Sequence, residues 1–243
     1  MTTTSAPTTS TETMQLSAVL QRVVEAMEAQ GLQQQILWQQ TEALTSLLAL
    51  LKPDAPFPQT RGWAASPDFL MLIAQAIYAQ GPCNVAEASS GVSTLTCAYC
   101  LKRLGGGHVT SLEHDEEYAK KTRAMLDMHG LSEWATVLHA PLVQMDIAGH
   151  AMPWYDPEVI KTIPAIDVLV VDGPPGRTSP LARFPALPRL ESLITPGAII
   201  LADDGGRPAE KEMVKRWCAM YPNLTSEYHP TEKGAFMLRW PKS

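Results

Sequence analysis

Between residues 83 and 240, short apolar runs alternate with segments of helical period, and this rhythm limits the fold more than any other feature. Residues 166–172 are almost wholly aliphatic up to a closing Asp172, as expected of a strand covered on both faces. Strands are expected at 83–87, 108–113, 135–140, 166–172 and 198–203. Helices are expected through 95–104 and over 116–129, 186–193 and 209–220. The stretch 141–164 is less regular. Strands at 224–229 and 235–240 flank Thr231-Glu232-Lys233-Gly234 and read as a hairpin. Alternating strands and helices require a parallel sheet, and the closing hairpin makes its last strand antiparallel. The fold class is therefore α/β, a doubly wound seven-stranded mostly parallel sheet, with a helical extension before it.

Each strand ends in a polar group or a turn. Glu87, Glu113-His114-Asp115, His139-Ala140-Pro141, Asp172-Gly173, Asp203-Asp204 and His229 stand at these ends. Strand ends of a parallel sheet share one edge, where open α/β sheets bind their ligands. Residues 84–95 sharpen the point. Val85 and Ala86 suit a central strand, Glu87 closes it, Ser89-Ser90-Gly91 turn, and Ser93 or Thr94 can cap the next helix. A carboxylate at that turn suits a ligand with hydroxyls or an amino group, and an ordinary strand-to-helix turn with a surface Glu is the competing reading. Glu113 stands where a nucleoside's ribose would lie and can accept its hydroxyls. A dinucleotide site would need G-x-G-x-x-G, whereas this turn has a single glycine, which disfavours NAD and FAD.

Charge excludes other classes. The net charge is −6 with no basic run, which argues against nucleic-acid binding. No apolar run reaches membrane-spanning length. Residues 1–14, rich in Thr and Ser, lack the basic and apolar regions of a secretory signal and read as a disordered tail. A cytoplasmic location is expected. Cys97 and Cys100 have the C-x-x-C spacing inside an expected helix, with no second pair at zinc-site spacing, so packed, reduced thiols are expected. Residues 15–52 carry a helical apolar stripe that Gly31 is expected to break in two. This extension reads as a coiled coil or hairpin making a homo-oligomer, or else as a helix pair lying on its own domain. Residues 53–60 read as a Pro-rich linker, leaving 61–243 as the main domain.

Glu87-Ala88-Ser89-Ser90-Gly91-Val92-Ser93-Thr94, Ser111-Leu112-Glu113-His114-Asp115, His139-Ala140-Pro141-Leu142, the segment 167–176 ending Asp172-Gly173-Pro174-Pro175-Gly176, and Leu201-Ala202-Asp203-Asp204 together resemble the ordered motifs of class I S-adenosylmethionine (SAM)-dependent methyltransferases. The branch they resemble is bacterial, similar to sugar (macrocin-type) and catechol-type O-methyltransferases. The resemblance covers about residues 61–240 and implies a Rossmann-like fold. It implies that Glu87, Ser89, Ser90, Gly91 and Ser93 hold the methionine end. Glu113 would bind the ribose, His114 would lie beside the adenosine, backbone at Ala140 and Leu142 would meet the adenine, and Asp172 would complete the cofactor set. Ser89 replaces a glycine frequent in the family's first motif, and it can make that turn if it avoids positive φ.

Asp172, Asp203 and Asp204 resemble that branch's divalent-metal site. Mg²⁺ or a similar cation takes such oxygen ligands and would lower the pKa of an acceptor hydroxyl. The alternative is that Asp172 bonds the cofactor or caps a helix while Arg207 holds an Asp203-Asp204 turn. The catechol-type lysine after the fourth strand is missing, since that loop reads Gly173-Pro174-Pro175-Gly176-Arg177. Asp172 and His229 are the remaining catalytic candidates, His229 as general base or as a surface hairpin residue. Acceptor contacts are expected from Trp154, Tyr155 and the loop 177–183, with packing the expected role of Trp63. The activity implied is methyl transfer to a hydroxyl of a sugar, glycan or related small molecule. Metal-independent N- or O-methylation and a non-enzymatic oligomeric scaffold are the alternatives.

Overall fold

A computed structural model of the chain describes residues 8–147 and 149–242. Helix α1 spans Thr8–Leu51 without interruption. It starts inside the expected tail, whose residues 1–7 lie outside those described. The expected break at Gly31 does not occur. One internal glycine costs a helix about 1 kcal/mol, and the flanking run of Ala, Leu, Gln, Glu and Met outweighs it. The chain divides into two compact units, residues 1–42 and 43–243, so the boundary falls inside α1 rather than at residues 53–60. In the first unit Leu16, Leu20, Val23, Met27, Leu37 and Trp38 are exposed. In the second, Leu47 and Leu51 are fully buried in the domain's core. The expected linker is part of that domain. The Asp54 amide donates to Tyr99 Oη at 2.9 Å, Lys102 pairs with the Asp54 carboxylate at 2.9 Å, and Arg103 Nε donates to the Leu51 carbonyl at 2.6 Å.

Helix α2 (Pro67–Gln80), with Pro67 at its first turn, leads into β1 (Cys83–Ala88). There follow α3 (Val92–Leu104), β2 (Gly107–Glu113), α4 (Glu116–Met128) and β3 (Ala135–His139). The stretch read as irregular is instead a two-stranded hairpin, β4 (Leu142–Ile147) with β5 (His150–Tyr155), followed by a single turn, α5 (Pro157–Ile160). Pro153 masked it, but a pair with no further neighbours tolerates a proline that cannot donate. Then come β6 (Ile166–Val171), α6 (Ala186–Leu190), a 3₁₀ turn, β7 (Ile194–Ala202), α7 (Pro208–Met220), β8 (Thr225–His229) and β9 (Ala235–Arg239).

The main sheet has the order β3-β2-β1-β6-β7-β9-β8, with β9 antiparallel to both neighbours. Period-2 alternation feeds two cores. Val168 and Val170 join α2, α3 and α4 on one face, while Leu169 and Val171 join α6 and α7 on the other. Three of the four free cysteines, Cys83, Cys97 and Cys100, are buried, and burial raises each thiol's pKa. The chain leaves β1 for β2 and β3 on one side and returns to β6 on the other. That reversal opens a crevice beyond the carboxyl ends of β1 and β6, where such sheets bind ligands.

Candidate active site

A cleft of about 480 Å³ occupies that crevice. Four strand ends supply its floor: Ser89 and Ser90 after β1, Glu113 to Asp115 after β2, Asp172 and Gly173 after β6, and Asp204 after β7. Trp63, Arg177, Arg207 and Lys233 stand at its other side, and Tyr155 enters from β5.

Glu113 is nearly buried and faces the cleft. Its Oε1 accepts from the Asp115 amide at 3.0 Å and contacts His114 Nδ1 at 2.9 Å; its Oε2 accepts from Ser90 Oγ at 3.0 Å. Burial pushes this carboxyl up, but the bonds from His114, Asp115 and Ser90 outweigh it and hold the group below the usual carboxylate range. A carboxylate offers about four acceptor sites, so Oε2 retains room for a ligand hydroxyl. Asp115 then caps α4, accepting from the Glu117 and Tyr118 amides at 2.9 and 3.1 Å.

Glu87 behaves differently from its expected role. It is 1 % exposed and does not line the cleft. Ser93 and Thr94 donate to its two oxygens, and Ser111 Oγ adds a bond at 2.6 Å. Burial drives its pKa up to about 7 despite those donors. Glu87 and Ser93 thus brace the turn from beneath. The turn itself is strained: Ser89 has φ +128° and Gly91 has φ +150°, so Ser89 makes the turn without meeting the condition that it avoid positive φ. Gly173 packs against that turn. A Cβ there would lie 2.9 Å from Tyr155 Oη and 3.0 Å from Ser89 Cβ.

Ala140 and Leu142 do not line the cleft. The Ala140 amide already donates to the Glu113 carbonyl at 2.7 Å, and Leu142 is paired with Tyr155 in the hairpin. His229 is also displaced. It ends β8, the outermost strand, and lines a separate depression with Asp68 and Thr231. The edge is the expected one, but β9 lies between β8 and β7. His229 does not line the cleft. Trp154 is wholly buried, whereas Trp63, expected to pack, is 86 % exposed at the cleft with Arg177 stacked 5.6 Å from its ring centroid. Arg61 pairs with Glu232 at 2.7 Å, Lys233 Nζ donates to the Ala64 carbonyl at 3.0 Å and the Glu232 amide donates to Asp68 at 2.7 Å, so this wall is tied across the chain. Lys233 and Tyr118 were not foreseen; the polar turn ending at Gly234 was the one signal for Lys233.

Asp172, Asp203 and Asp204 do converge: one oxygen from each lies within 4.8 Å of the others. Arg183 lies among them. Its Nη2 donates to Asp172 Oδ1 at 3.1 Å and to Asp204 Oδ2 at 2.6 Å, and its Nη1 donates to the Asp203 carbonyl at 3.0 Å. Glu210 lies 3.9 Å from Nη1, Arg207 pairs with Asp204 at 2.9 Å, and Lys233 lies 3.9 Å from Asp203. Both carboxylate oxygens of Asp203 and Oδ1 of Asp204 are buried without a hydrogen-bond partner. Burial, then Asp172 and Asp204, push Asp203 up to about 8; burial also raises Asp172 against the opposing pull of Arg183. The donor chemistry suits a hard cation, but with Arg183 bridging Asp172 and Asp204 the set does not fit one.

Residues 88–205 match the family model of a methyltransferase domain. Fold and match together define the class: a class I methyltransferase that uses SAM. The chain is similar to a putative O-methyltransferase from Klebsiella pneumoniae, at 20% identity and TM-score 0.55 over 83% of this chain and 90% of that one. It is similar to an O-methyltransferase from Bacillus cereus in complex with S-adenosylhomocysteine (18%, TM-score 0.56, 82% and 90% covered). The S-adenosylhomocysteine-bound methyltransferase PaMTH1 of Podospora anserina aligns at 14% identity and TM-score 0.58 over 82% and 88% of the two chains. No curated protein matches the sequence. Among the described residues no helix is long and apolar enough to cross a membrane.

Proposed function

We propose that the protein transfers a methyl group to a hydroxyl of a small polyhydroxylated acceptor, a sugar or related compound. The observation that carries this reading is the cleft itself, with Glu113 at one end and Asp172 toward the other. SAM, when bound, supplies an electrophilic methyl on a sulfonium. Glu113 and Ser90 hold the ribose hydroxyls, and Ser89, Gly91 and Gly173 keep the floor low enough for close approach. Asp172, more basic than an ordinary carboxylate, orients the acceptor hydroxyl and draws on its proton. Trp63, Tyr155 and Arg177 bound the acceptor and narrow its approach to the in-line direction. The O-methyltransferases among the structural neighbours support an oxygen acceptor.

The unpartnered oxygens of Asp203 and Asp204 would suit metal-assisted transfer, but Arg183 already occupies the position between Asp172 and Asp204. Self-association through α1 belongs to the same proposal, supported by the exposed apolar residues between Met14 and Trp38. Radiolabelled methyl transfer from SAM to a panel of sugars and catechols tests the function. Label on an acceptor oxygen is expected; label confined to nitrogen acceptors, or no SAM binding by calorimetry, would overturn it. The mass of the wild-type chain by light scattering, against Leu20→Lys with Val23→Lys, tests the assembly. A dimer or larger species that falls to a monomer is expected.

A further inference from the structure

We propose that Arg183 is the resident cation of the Asp172, Asp203 and Asp204 cluster, and that the cluster holds no divalent metal in the working protein. A metal shared by the three acids would stand where one oxygen of each can reach it. Arg183 Nη2 already bridges Asp172 and Asp204 at 3.1 and 2.6 Å, while Nη1 reaches the Asp203 carbonyl at 3.0 Å. A guanidinium and a dication at such range repel each other and would compete for the same oxygens of Asp172 and Asp204.

Nor is Arg183 free to leave. It is 5 % exposed. The next residue, Phe184, is buried in the core, and its carbonyl accepts from Trp217 Nε1 at 2.9 Å; Trp217 is wholly buried. The Phe184 amide is tied to the Leu181 carbonyl at 2.9 Å. The anchored backbone holds the base of the side chain in place, and withdrawing its guanidinium would strip Asp172 of its ion pair and leave Asp204 with only the exposed Arg207. Arg207 and Lys233 add positive charge from the cleft side, opposing entry of another cation. The arrangement gives the acceptor hydroxyl a fixed neighbouring charge that does not depend on metal supply. The inference concerns the acceptor side of the site proposed above. Its test reads metal binding rather than methyl transfer, so the two fail separately.

Mn²⁺ is the probe, followed by electron paramagnetic resonance and by thermal melting of the full chain. Wild-type protein is expected to bind no Mn²⁺ at the cluster and to melt unchanged in its presence. Arg183→Met is expected to melt lower than wild type, to acquire Mn²⁺ binding that the wild type lacks, and to regain melting temperature when Mn²⁺ is added. Asp203→Asn in that background is expected to abolish both gains. Arg183→Lys, which keeps the charge but loses the fork, is expected to bind no Mn²⁺, like wild type, and to melt lower. If the methionine variant does not fold even with Mn²⁺, Arg183→Gln is read by the same criteria. Mn²⁺ binding by the wild type that is lost in Asp203→Asn would overturn the proposal. So would a folded Arg183→Met or Arg183→Gln that binds none.

Discussion

The two ends of the cleft handle carboxylates in opposite ways. At the β2 end, Glu113 is alone, ringed by neutral donors and one imidazole, and held below its usual range with an oxygen facing the opening. At the β6 and β7 ends, acids crowd together and are met by buried Arg183, by Arg207 and by Lys233. The first arrangement leaves charge available to a ligand. The second spends most of its charge inside the protein. Placement at a strand end is thus common to both, and the neighbours decide whether a carboxylate recognises a ligand or holds the architecture together.

Substitution should separate the two ends. Asp204→Ala strips the closest partner from a buried guanidinium and is expected to cost about 3–5 kcal/mol of stability. SAM affinity should stay near normal, as read by urea unfolding beside calorimetry. Glu113→Ala is expected to do the reverse. Loss of a charge-assisted bond worth about 1.5–3 kcal/mol should weaken SAM binding by roughly one to two orders of magnitude, with a smaller loss of stability than in Asp204→Ala. If the two variants exchanged these phenotypes, the contrast would collapse.

Glu87 gives a third carboxylate, buried at the β1 end and bonded only to hydroxyls. Its folded pKa is raised from 4.5 to about 7, so between those values the native state binds more protons than the unfolded chain. Its stabilising contribution is therefore full below about pH 4.5 and is lost as pH rises through about 7. Glu87→Gln should flatten the melting temperature across that window, removing a slope of at most about 1.4 kcal/mol per pH unit. An unchanged slope would assign the dependence elsewhere. The smallest effect concerns the turn between these ends. Ser89→Gly should relieve the positive φ and raise stability by about 1 kcal/mol, and a lower melting point would show that the serine's contacts outweigh the strain.

Much of this was readable in the chain. The aliphatic run 166–171 and the polar residues closing each strand fixed the sheet and its working edge, because burial on both faces imposes a pattern that local sequence cannot hide. Glu113, Asp172 and Asp204 fall where that pattern puts them. What escaped depended on depth and lateral order. Glu87 and Glu113 look alike as strand-end acids, yet the hydroxyls of Ser93, Thr94 and Ser111 seal only the former. His229 ends a strand on the expected edge but at the sheet's outer margin, which strand order alone reveals. Arg183 lies in a Pro-rich loop without periodicity, so nothing local announces that it turns inward.

The wall around Trp63 has a consequence for where this enzyme begins and ends. Arg61 and Asp68 are lashed to Glu232, and Lys233 to the Ala64 carbonyl, so the segment entering the domain and the turn near its finish hold each other in position. The stretch that carries the family signature, 88–205, contains neither. The Trp63 and Lys233 side of the cleft therefore lies outside that stretch. Under the proposed function, this bank, which meets the acceptor, is built from the chain's flanks rather than from the family-matched stretch.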